Sequence, residues 1–147
     1  MNSTIRNIFA VLIGFIVGSM VNMGLVIVGP ILIPPPDGVD MTTMESLAET
    51  IHLMGPLNFL APFLAHALGT LVGVLTTSLI AASKRTILGY AMGAAFLMGG
   101  ITAATMLPAP LWFIAADLLL AYLPMAWLGL TLANRIKPEV APVTEEN

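Results

Sequence analysis

The sequence predicts an all-α membrane protein, a single domain over residues 1–147 with four transmembrane helices. Three observations carry that prediction. First, 58% of the residues are hydrophobic and only 9% are charged. An average soluble chain carries about 25% charge, so too little polar residue is present to cover a soluble globule. Second, four apolar runs, about residues 8–33, 56–83, 87–106 and 110–134, each reach the roughly 20 residues that cross a bilayer. Third, four spans place all the Lys and Arg of the chain, namely Arg6, Lys84, Arg85, Arg135 and Lys137, on one side. Asp37, Asp40, Glu45 and Glu49 fall on the other. The positive-inside rule then puts both termini in the cytoplasm, with the bundle in the cell (inner) membrane.

The elements follow in order. The first span is apolar except for Asn22. It exceeds the roughly 7–15 residues of a signal-peptide core, so an uncleaved helix is expected. Pro34, Pro35, Pro36, Asp37 and Gly38 stop it. Residues 34–55 form an external segment with a short amphipathic helix at the membrane surface. Met41, Met44, Leu47, Ile51 and Met54 make its apolar stripe, and Glu45, Glu49 and His52 its polar face. Thr42 and Glu45 have capping-box spacing.

The second span runs from Pro56 to Lys84-Arg85. Phe59, Pro62, His66, Gly69, Gly73, Thr76 and Ile80 step by three and four along it, so one stripe gathers the small and polar residues. In a bilayer that stripe should meet other helices, and the leucines off it, including Leu71, should meet lipid. The third span is rich in Gly and Ala. The fourth contains Asp117 and Pro124. Residues 135–147 read as a polar cytoplasmic tail.

Two correspondences suggest an internal repeat. Gly14, Gly18 and Gly24 match Gly89, Gly93 and Gly99 at a shift of 75 (89−14, 93−18, 99−24). The openings Pro56-Leu57-Asn58-Phe59 and Pro110-Leu111-Trp112-Phe113 match at a shift of 54 (110−56). The chain then reads as two parallel-oriented helical hairpins, the first carrying the external insertion. Chance matching between apolar helices is the alternative.

Candidate functional residues are few. His66 and Asp117 are ionisable groups inside spans, where a charge costs at least about 2.5–3.5 kcal/mol. Counted from the span ends, they lie at a depth similar to Asn22. The three form an expected intramembrane polar layer, with His66 and Asp117 touching. Two roles are open: a proton relay or ion site, or a hydrogen-bonded clasp between helices. Gly14/Gly18, Gly69/Gly73 and Gly89/Gly93 have GxxxG spacing and should pack helices closely. Pro62 and Pro124 each remove an amide donor and are expected to kink their spans.

Catalysis finds no support. The spans offer one carboxylate, and the chain carries no nucleophile elbow, phosphate loop or zinc-protease helix. No cofactor is expected. Cysteine is absent, and Met23 and Met98 read as core packing rather than as partners of His66 in a metal site. No basic cluster suggests nucleic acid. The function expected first is that of a non-catalytic bundle. It would pack against itself as a homo-oligomer or serve a larger membrane complex as an accessory subunit. The alternative is a small proton- or ion-coupled transporter or channel subunit using His66 and Asp117.

Overall fold

Asn2 starts the first helix, because its side-chain oxygen accepts the Thr4 amide at 3.0 Å. In the computed structural model, which describes residues 2–138, that helix, α1, covers Ser3–Leu32 and passes through Pro30. It thus begins five residues before the expected residue 8. The helix that follows, α2, is short, Met44–Thr50, and runs into a 3₁₀ turn at Ile51–Leu53. A second 3₁₀ turn, Pro56–Phe59, leads into α3, Leu60–Ile80. Then come α4, Arg85–Met106; α5, Leu111–Leu120; and α6, Leu123–Ile136. Among the described residues there is no strand. Four helical stretches are long and apolar enough to cross a membrane, the last being α5 and α6 together.

Several boundaries correct the sequence reading. The capping box at α2 uses Thr43 and Ser46, one residue later than Thr42 and Glu45. Thr42 is diverted: its amide and hydroxyl both donate to Asp40, at 2.8 and 2.6 Å. Those bonds hold the Asp40 carboxyl below its usual range. α3 stops at Ile80, short of residue 83, since Asn7 reaches across to the following turn and accepts the Ala82 amide at 2.9 Å. Arg135 is still helical, and residues 139–147 of the expected tail lie outside the described residues.

Pro62 does not break a helix midway. It sits in the first turn of α3, where the 3₁₀ turn gives way to α-helix and a missing amide costs little. Pro124 does interrupt its span. No amide remains there to bond the Leu120 carbonyl, and the chain breaks at Ala121 and Tyr122 before restarting as α6.

α3 is the central helix. It packs antiparallel to α1 through two interlocked glycine pairs. A Cβ placed on Gly18 would stand 2.7 Å from the Gly69 carbonyl oxygen, and one on Gly73 would stand 3.1 Å from the Gly14 carbonyl oxygen. Backbones this close leave room for nothing larger. On another face, Val74 clusters with Met92, Ala126 and Leu130 of α4 and α6. The expectation that the leucine side of this helix faces outward is met only in part at Leu71, which is half-buried. Its carbonyl oxygen lies 2.9 Å from where a Gly129 Cβ would be. Leu64 and Leu68, nearer the start of α3, are exposed.

The glycines matched by the 75-residue shift behave alike. Gly14 and Gly18 seat α1 on α3, and Gly89 and Gly93 seat α4 on α6. Gly24 and Gly99 both meet open space. Phe59 and Phe113, matched by the 54-residue shift, touch each other with ring centroids 4.8 Å apart.

Charged groups collect at one end and tie it together. Arg6 donates to the Ile80 carbonyl at 2.7 Å and Lys137 to the Leu79 carbonyl at 3.4 Å. Both cations thus sit at the negative end of the α3 dipole. Arg85 is buried and bonds Asn134 and the Lys137 carbonyl.

Candidate functional site at His66, Asp117 and Tyr122

The helices above deliver three side chains to one point. His66 lies in the second turn of α3, and Asp117 in the second turn of α5. The His66 Nδ1 stands 2.8 Å from Asp117 Oδ1 and 2.9 Å from Oδ2. Tyr122 donates its hydroxyl to Asp117 Oδ2 at 3.0 Å. That last contact depends on the break in the fourth span. Five residues along an unbroken helix is a rotation of about 140° away from the same face. The break at Ala121–Tyr122 turns the phenol back towards Asp117.

The carboxylate is therefore occupied by two donors from inside the bundle. Asp117 is 5% exposed and His66 20%, so the histidine is the accessible member. With Nδ1–H given to the carboxylate, Nε2 is the free nitrogen. The arrangement presents one oriented imidazole nitrogen, backed by a buried acid, as a proton acceptor or hydrogen-bond acceptor.

His66 lines two cavities. One, termed the outer cavity, is about 240 Å³ and lies beneath the segment of residues 34–55. The stripe Met41, Met44, Leu47, Ile51 and Met54 lines it. Phe59, Ala104 and Phe113 form walls, and His66 and Asp117 form the floor. Asn58 is also in the wall, but its side chain is bonded to the Gly55 amide and the Ile33 and Pro34 carbonyls. The second cavity, about 410 Å³, lies between α1 and α4 and is lined by His66, Tyr122 and Asn22 among others. Only His66, Gly100 and Ala103 belong to both.

The structure thus brings His66 and Asp117 together and leaves Asn22 nearby. Asn22 packs against Gly69 and faces the second cavity, and among the described residues no hydrogen bond joins it to the pair. Met23 lines that cavity as well, while Met98 is exposed and lines neither. Glu45, Glu49 and His52 remain on the exposed face of the segment of residues 34–55. No cluster of three or more His, Asp or Glu suited to a metal occurs among the described residues.

Sequence reasoning missed Tyr122. The available signal was its position two residues before an intraspan proline. A buried phenol needs a partner, and a helix broken at that point can turn it towards one.

No family model, curated protein or solved structure matches this chain.

Proposed function

We propose that this chain is a small, non-catalytic integral membrane protein that binds an apolar small molecule in the outer cavity. His66 and Asp117 would serve as the protonatable pair that couples its passage. The observation that carries the reading is the outer cavity itself, an apolar chamber whose floor is an accessible imidazole on a buried carboxylate. A helical clasp alone has no need of a chamber above it. Concave, mostly apolar sites with few placed polar groups are where small ligands bind.

In this proposal the four long helices cross the cell (inner) membrane as two hairpins of like orientation. Three features support it: the like behaviour of the glycines separated by 75 residues, the Phe59–Phe113 contact, and the collection of basic groups at one end. Both termini then lie in the cytoplasm. Glu49 is exposed on α2 and outside its cap, so Glu49→Cys should be labelled by an impermeant maleimide in intact cells. Ala82→Cys, in the exposed turn at the opposite end, should be labelled only after permeabilisation. The reverse pattern would overturn the orientation.

The reading is tested by filling the chamber. Protein purified in mild detergent is extracted with organic solvent, and the extract is analysed by mass spectrometry. Wild-type protein should release a small apolar compound, and Ala104→Trp, which occupies the cavity wall, should release little of it. Equal amounts from both would remove the outer cavity from the account.

A second reading, a self-associating or accessory subunit, is favoured by one feature. Gly24 lies on α1 with no atom near it, a small residue at which a neighbouring helix can approach closely. Cross-linking through Gly24→Cys would reveal such a neighbour, and monomeric protein throughout would remove it.

A further inference from the structure

The second cavity differs from the outer one in position, walls and opening. Phe15, Met23, Ala95 and Gly99 line it and are themselves exposed, so it opens on the flank of the bundle between α1 and α4. Gly99 leaves that mouth bare, since no atom lies within 4 Å of where its Cβ would be. On an apolar helix bundle, a flank opening meets the hydrocarbon of a bilayer. What enters there must be lipid-soluble.

The walls narrow the chemistry. Phe15 and Phe96 have ring centroids 5.6 Å apart at 32°, and His66 and Tyr122 have centroids 5.7 Å apart at 30°. These are surfaces on which a further planar ring can stack. Ser19 and Asn22 line the same space. Asn22 supplies a donor and an acceptor, and the free His66 nitrogen supplies an acceptor. Among the described residues, no Lys, Arg, Asp or Glu lines the cavity. Arg6, Arg85 and Lys137 are engaged at the end of the bundle, with the carbonyls of Leu79, Ile80 and Lys137. A carboxylate or phosphate head group would find no counter-charge.

We propose that the cleft between α1 and α4 is a lateral binding site for a lipid-soluble aromatic whose planar head group carries a hydroxyl oxygen, of the phenol or quinol type. The ring stacks among Phe15, Phe96 and Tyr122. The hydroxyl donates to the His66 Nε2, and the Asn22 amide binds the oxygen or a second ring substituent. Any apolar tail leaves past Gly99 into the lipid. The proposal rests on the membrane reading and is independent of whether the outer cavity carries a ligand.

The test uses 2-naphthol as the probe and the full chain in lipid nanodiscs. His52→Gln leaves His66 as the sole histidine, so imidazole ¹⁵N resonances report on it alone. 2-Naphthol should move the Nε2 resonance saturably and leave the Nδ1 resonance, held by Asp117, in place. Naphthalene, which lacks the oxygen, should not move Nε2. Gly99→Leu at the mouth and Asn22→Leu in the wall should each weaken 2-naphthol binding about tenfold or more, the scale expected when a pocket contact is blocked or lost. An unchanged Nδ1 resonance shows that these variants keep the pair intact. Ala104→Trp, in the other cavity, should bind as wild type. A shift that grows linearly without saturating would overturn the site. So would binding unaffected by both Gly99→Leu and Asn22→Leu, or binding abolished by Ala104→Trp.

Discussion

Asp117→Leu should destabilise the protein by about 3 kcal/mol or more, the range found when one member of a buried pair is removed. The structure states why. The substitution strands the His66 Nδ1–H and the Tyr122 hydroxyl together, because both donate to this one carboxylate. Each stranded donor costs about 1–3 kcal/mol. His66→Leu with Asp117→Leu should recover part of the loss, since only the Tyr122 hydroxyl is then without its acceptor. Adding Tyr122→Phe should recover the rest, because apolar replacements of a buried polar cluster are often neutral or stabilising. Detergent-resistance or thermal-unfolding midpoints give the order directly: Asp117→Leu lowest, the double variant between, the triple variant near wild type. A triple variant no better than Asp117→Leu would mean the three groups do not form one energetic unit.

Gly18→Leu should be the next most damaging change. A side chain there is driven towards the Gly69 carbonyl oxygen and the Phe96 ring, each 2.7 Å from the first added carbon. The phenyl ring can shift, but the backbone oxygen sits in the middle of α3 and cannot. Overpacking of this kind costs about 1–3 kcal/mol, and at a backbone-to-backbone contact the upper end applies. The control is Leu68→Ile on the exposed side of α3, the helix that Gly18 meets, which should stay within about 0.5 kcal/mol. Comparable losses from the two would show that α1 does not dock through its glycines.

Much of the helical layout was legible in the sequence because the solvent preference of each residue is a local property. Four long apolar runs and the gathering of basic residues at one end need no tertiary information. The glycine spacing was legible for the same reason: small residues at i and i+4 mark a face, and Gly14, Gly18, Gly69 and Gly73 all lie at the α1–α3 contact. The side of α3 that meets α6 was not legible. Leucine serves equally against lipid or against a neighbouring helix, so half-buried Leu71 carried no mark that its turn of α3 meets Gly129 of α6.

The candidate site was half legible. Cost alone drew attention to His66 and Asp117, since ionisable groups in apolar spans need partners. Tyr122 depends on the local geometry of a helix break, and Pro124 signals a break without fixing the rotation beyond it. The role of the segment of residues 34–55 was hidden for a different reason. An amphipathic stripe reads the same whether it rests on a bilayer or lines a cavity, and here Ile51 and Met54 line one.

In the proposed function His66 and Asp117 bind and couple a small molecule and do more than fasten α3 to α5. The most direct measurement takes the folded triple variant His66→Leu/Asp117→Leu/Tyr122→Phe and quantifies by mass spectrometry the small apolar compound it retains through purification. The account predicts wild-type stability with the compound lost. A stable triple variant that retains the compound at the wild-type level would contradict it and leave the pair as a clasp.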